Sequence, residues 1–228
     1  MKGLMATGNE KRLSEITSKA TLHSLLAAAL NYPDLPLVAR FKSGDFLEVL
    51  LQSLLSSTHS SPGEDIEKLK QNCKADQSSE DAELLLQLEK DYTRMFFASK
   101  PRLAHLFESV YREGRLLRDS TFEIARLYYD AGLAPTEEFR LPPDHIALEL
   151  EFLSFLYFKE IEGIENGDKE VEEYAKELQA IVIEKHLRPF ALNIAEKVSL
   201  HAKTSFYKIV AAVIQSYYSA EFGSGTAV

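Results

Sequence analysis

An all-α, single-domain helical bundle of about eight to ten helices is what this sequence predicts, and three observations predict it. Apolar residues recur at helical spacing through most of the chain, as in Leu22, Leu25, Leu26, Ala29 and Leu30. No segment sustains the apolar–polar alternation of a strand, and no Asn-Gly or Asp-Gly pair sits between alternating runs. A chain of 228 residues with 45% apolar content has enough material for one sizeable core. The domain is therefore taken as 1–228, with no internal repeat and no low-complexity tract.

The first helix is expected over 13–31, ended by Pro33 and Pro36 in "YPDLP". A second helical stretch covers about 35–56, with an interruption at Gly44. Residues 57–79 are polar and read as a loop holding a short helix. Residues 80–98 form a helix whose apolar face is Leu84, Leu85, Leu88, Tyr92, Met95 and Phe96. The stretch after it is short and irregular, punctuated by Pro101 and Gly114. Residues 119–132 form the next helix, with Asp119 or Ser120 as N-cap and Gly132 as the stop. "APTEEFRLPP" links it to a central helix at about 144–165. Asp168 caps a helix at 169–186, Pro189 opens a short one to about 198, and the last runs 203–221. Segments 1–12 and 222–228 are expected to be flexible, and 133–143 is the natural hinge.

The formal charge is −9, which argues against nucleic-acid binding, since phosphate needs a basic face. The single cysteine, Cys73, has no CxxC companion, which argues against structural zinc or a thiol redox pair and suits a reducing, cytoplasmic setting. No run approaches the ~18 apolar residues of a membrane span, and "MKGLMATGNEKRL" has no apolar secretory core. There is no GxSxG, and no cofactor-binding motif is present.

The informative stretch is "LPPDHIALELEFLSFLYF", residues 141–158. Its apolar side chains cover most of the helix circumference, so this is the central, mostly buried helix. Asp144 at its mouth can cap free amides. Glu149 lies one turn after His145 among apolar neighbours, where a carboxylate is costly unless paired, and His145 is its nearest candidate partner. Two readings stay open: an N-cap with a core His–Glu pair, or a polar recognition spot at the mouth of an apolar groove. A carboxylate metal centre is the enzymatic alternative, with His145 and Glu149 as two ligands. The paired Glu-x-x-His arrangement of di-iron bundles is missing, so no metal site is expected.

"LPPDHIALELEFL" resembles the signature of the TorD/DmsD/NarJ-type maturation chaperones of molybdenum enzymes, with Asp144, His145 and Glu149 in register. "YTRMFFASKPRLAHLFESVYREGRLL" is similar to a second family segment through Tyr92, Phe96, Phe97, Glu108, Ser109, Val110 and Tyr111. "EKHLRPFALNIAEKV" is similar to a third through His186, Leu187 and Phe190. The resemblance implies a cytoplasmic helical protein that is not an enzyme. Its partners would be a molybdoenzyme catalytic subunit and that subunit's twin-arginine leader, held back from export until cofactor is inserted. A monomer or a domain-swapped dimer is implied, and a NarJ-like branch would bind the mature subunit without reading the leader. A basic pair followed by an apolar stretch needs an apolar groove with carboxylates at one end. Residues 144–177 carry 11 acidic and 3 basic side chains, a local balance of −8, which also suits a solvated helical hairpin. On this reading Asp144 contacts an arginine, His145 orients it or accepts from the peptide, and Glu149 belongs to the same peptide-binding site. Tyr111, Ser109 and Phe107 form the opposite wall. Arg112, Arg115 and Arg118 are either a solvated face or a contact for an acidic client surface.

Overall fold

The computed structural model describes residues 2–58, 63–98, 100–134 and 141–220. Eleven α-helices account for it among those residues, and no strand is present there. They are α1 (Lys2–Leu30), α2 (Leu35–Ser43), α3 (Asp45–Thr58), α4 (Glu64–Gln77), α5 (Asp81–Thr93), α6 (Glu108–Glu113), α7 (Asp119–Asp130), α8 (Ile146–Asn166), α9 (Lys169–Ile181), α10 (Arg188–His201) and α11 (Ser205–Ala220). A π-helical turn extends α5 over Arg94–Ala98, and another joins α9 to α10 over Val182–Leu187. The expected hinge at 133–143 falls largely, and the tail at 222–228 wholly, outside the described residues.

The layout follows from which faces are apolar. α8 lies within the bundle, packed along α1 on one side and α9 on another, with α10, α11, α3 and α4 completing it. Asp34 caps α2 through a 2.8 Å bond from the Leu37 amide, and Gly44 in the left-handed region (φ 86°) closes it. The interruption expected at Gly44 is thus a true break between α2 and α3. Asp168 caps α9, accepting from the Glu170 and Val171 amides at 3.1 Å each.

Three segments differ from the sequence reading. Helix α1 starts at Lys2, well before Leu13. Its early turns carry Arg12, which reaches Glu160 on α8 at 2.9 Å and Glu172 on α9 at 2.7 Å. The polar stretch after 57 is a loop only in part: α4 is a full 14-residue helix, docked by buried Ile66 and Cys73 seven residues apart against α11. Neither Asp119 nor Ser120 caps α7 with its own side chain. Instead the Glu113 carboxylate accepts from the Ser120 amide (3.2 Å) and hydroxyl (3.0 Å). The additional short helix α6 lies inside the stretch expected to be irregular.

Candidate functional site

The site is built where the chain entering α8 meets the chain entering α6. An isolated antiparallel bridge joins Phe107 to His145. Within it the Ile146 amide donates to the Leu106 carbonyl, and the Glu108 amide donates to the Asp144 carbonyl, both at 2.9 Å. This pairing brings two motifs 35 residues apart in sequence into one small volume. Tyr128 of α7 closes a third side, donating its hydroxyl to the Pro143 carbonyl at 2.8 Å.

Asp144 is fully buried. It does not cap α8, as its position suggested. Its Oδ2 accepts from the Ser109 amide at 2.9 Å, in the first turn of α6, so it caps a helix distant in sequence. His145 caps α8: its Nδ1 accepts from the Ala147 amide at 3.2 Å, which leaves the ring proton on Nε2. The expected His145–Glu149 pair is therefore not made. Burial pulls the His145 imidazole down to about 4, against an opposing push from Asp144.

Glu149 is 0% exposed, and neither of its oxygens has a hydrogen-bond partner. Burial first, then the neighbouring Glu108 and Asp144 carboxylates, hold its carboxyl well above the ordinary range, with Arg112 opposing. Burial without a hydrogen-bond donor thus favours the protonated form of Glu149. Glu108, also fully buried, is paired on both oxygens: Oε1 with Arg112 at 2.8 Å, and Oε2 with Nδ1 of His186 at 2.9 Å. Tyr128 feels Glu149, Asp144, Glu108 and Glu151, and burial together with these acids keeps its phenol far above its usual range.

The structure thus gathers three carboxyl groups, Glu108, Asp144 and Glu149, with two imidazoles, His145 and His186, and, among the described residues, one guanidinium, Arg112. Four buried polar atoms here have no partner: Ser109 Oγ, Asp144 Oδ1 and both oxygens of Glu149. Arg112 is where the cluster meets solvent; its side chain is 38% exposed and also reaches Glu123 at 3.4 Å.

Of the predicted wall, Phe107 packs its ring edge-on to His145 at 5.3 Å, and Ser109 donates its amide to Asp144. Tyr111 turns away; its hydroxyl accepts from the His105 amide at 3.1 Å and its ring lies 5.5 Å from Phe190. Asp144, His145, Glu149, Phe107 and Ser109 therefore come together, and Tyr111 stands to one side. Glu108 and His186 carried no role in the sequence reading although both sit in its motifs. Their partnership spans 78 residues and has no local signal. Tyr128 had none either, being one aromatic among several on an amphipathic helix.

Among the described residues no group of three or more His, Cys, Asp and Glu side chains is placed to hold a metal ion. No described helix is long and apolar enough to cross a membrane.

The family model "Nitrate reductase delta subunit" matches residues 59–196, more than half the chain. The chaperone protein TorD of Escherichia coli (strain K12 / DH10B) is 33% identical over 78 residues, covering 34% of this chain and 36% of that protein. TorD of Shigella dysenteriae serotype 1 is 32% identical over 93 residues, covering 41% and 43%. The matches thus span less than half the length of these relatives. A solved structure titled a redox enzyme maturation protein, from Archaeoglobus fulgidus, is 21% identical with a TM-score of 0.38, covering 73% of this chain and 94% of that one. On the family match, the chain belongs to the nitrate reductase delta subunit family, the TorD- and NarJ-type maturation chaperones.

Proposed function

We propose that this chain is a cytoplasmic chaperone for a molybdopterin oxidoreductase subunit. It binds the subunit's twin-arginine leader at the Glu108–Asp144–Glu149 cluster and delays export while the cofactor is inserted. The observation that carries this reading is the shortage of positive charge in a buried acidic cluster. Among the described residues Arg112 is the one arginine at the cluster, paired there with Glu108, and Asp144 Oδ1 and both Glu149 oxygens have no donor. A buried acid without a donor is costly, and a planar guanidinium is the group best shaped to satisfy carboxyl oxygens in pairs. The apolar residues after an arginine pair would lie along the aromatic side of the same site, which Phe107 and the Tyr128–Phe152 pair (ring centroids 4.6 Å apart) provide.

A second reading has its own observation. Asp144 and His145 are 0% and 2% exposed, so a peptide reaches them only if α6 or the approach to α8 moves. A NarJ-like member binding the mature subunit on its surface needs no such opening.

Calorimetric titration separates the two. Twin-arginine leaders from several molybdoenzyme classes, and their Lys-Lys counterparts, are titrated into the wild-type protein and into Asp144→Asn. Asn keeps an acceptor for the Ser109 amide, so α6 stays capped. The leader reading expects micromolar or tighter binding of one leader. It also expects a loss of about tenfold or more, roughly 1.4 kcal/mol, on either change. No binding by any leader, with binding by a whole apo-subunit, selects the second reading.

A further inference from the structure

The Glu149 side chain has a feature that simple electrostatic attraction does not use. Its carboxyl is enclosed and unpaired, and its i−4 neighbour His145 is committed to capping α8. The groups facing it are known from each packed element: Glu108 and Arg112 on α6, Asp144 and His145 at the head of α8, Tyr128 on α7, and His186 on the π-turn behind Glu108. Helix α1 packs along α8 but has no titratable side chain over 24–30, and its His23 is engaged elsewhere by Lys19 and Tyr218. Arg112 is the only arginine among these groups, and it is already divided between Glu108 and Glu123. An ionised Glu149 would therefore be a third buried negative charge beside two others, with no cation of its own among the described residues.

We propose that Glu149 is a proton-holding counter-charge: it stays a neutral acid in the free chaperone and ionises when an arginine of the leader enters the cluster. The inference rests on the leader-binding reading above. The step balances simply. The Glu149 O–H bond breaks, the proton leaves to bulk buffer, and the carboxylate pairs with a guanidinium that keeps its own proton. The partner chemistry is a peptide guanidinium, and the consequence is proton-linked capture. Binding tightens as pH rises, because the free protein holds one more proton than the complex. His145, drawn down to about 4, is already neutral at neutral pH and has no proton to give.

The test is calorimetry of the full chain with the tightest-binding twin-arginine leader, run at one pH in phosphate and in Tris, whose ionisation enthalpies differ widely. The slope of observed enthalpy against buffer enthalpy counts protons released. The expected result is about one proton for the wild type and about none for Glu149→Gln, whose weaker binding persists. Over the pH range in which free Glu149 holds its proton, the wild-type affinity should rise by about tenfold per pH unit. This wild-type profile stands alone should Glu149→Gln fold poorly. Intact binding with no proton release and a flat pH profile overturns this inference and leaves the leader reading standing. Release that persists in Glu149→Gln also overturns it. Failure of every leader to bind overturns both.

Discussion

His145 shows how one ring can hold a fold and tie it to pH. Its Nδ1 lone pair caps α8, so protonating that nitrogen removes the cap and places a charge in a buried site. The imidazole is held at about 4 against an ordinary 6.5, mainly by burial, and His23 is held at about 4 for the same reason. A lowered folded value means the unfolded chain binds protons more readily. Stability is therefore complete above about 6.5 and drains away as pH falls from there to about 4. Asparagine caps a helix without titrating in this range. His145→Asn should accordingly flatten its share of the acid limb, at most about 3 kcal/mol, in urea denaturation followed from pH 7 to pH 4. A limb of unchanged steepness would show that the cap is not the group being protonated. At this scale the sequence was partly legible. That Asp144, His145 and Glu149 form a polar knot in an apolar helix is visible from residue type and spacing alone. Which group caps which helix is not, because Asp144 serves α6 through a fold-dependent bridge that no local pattern records.

Helix α8 can lie close against α9 because Gly163 leaves room for it. A β-carbon at 163 would stand 2.7 Å from the Glu172 amide nitrogen and 3.0 Å from the Asp168 carbonyl oxygen. Both are backbone atoms at the start of α9 and cannot swing aside. The same contact sets Glu172 beside Glu160 so that Arg12 of α1 can bridge them, tying three helices at one point. Gly163→Ala gains helix propensity of about 1 kcal/mol yet should lose a net 1 to 3 kcal/mol, roughly the cost of overpacking a fixed contact. Thermal and urea unfolding would read this directly, and a stabilised variant would mean that α9 shifts freely along α8. Helices with a broad apolar face, such as α5 and α8, could be read from periodicity at nearly their observed bounds. Helices α1 in its first turns and α4 could not, because their buried contributions are one side chain here and there. Arg12 works by charge and Ile66 and Cys73 by a sparse seven-residue spacing, while propensity and pattern favour a loop. Burial raises the Cys73 thiol to about 12, with Asp76 adding to it, so the one cysteine is packing material rather than a nucleophile.

Taken whole, the bundle places the proposed leader site at a junction that no single helix owns. The ends of three structural segments, 104–109, 128 and 143–149, converge there, and His186 closes it from the π-turn between α9 and α10. The net charge of −9 and the acidic bias of 144–177 suit the cationic partner proposed above. The buried, underpaired carboxyls match the guanidinium of the proposed leader. The fold class and the identity of the DH element were legible because they rest on periodicity and a compact motif. The burial of Asp144 and the Glu108–His186 pair were not, since both depend on contacts across tens of residues. The central claim is that the leader is bound at this junction. Hydrogen–deuterium exchange of the full chain, with and without a bound twin-arginine leader, tests it most directly. The account predicts slowed exchange over 104–112 and 141–150, with the α1–α9 contact around Arg12 and Glu172 unchanged. Protection confined to other helices, with 104–112 and 141–150 unaltered by a leader that binds, would contradict it.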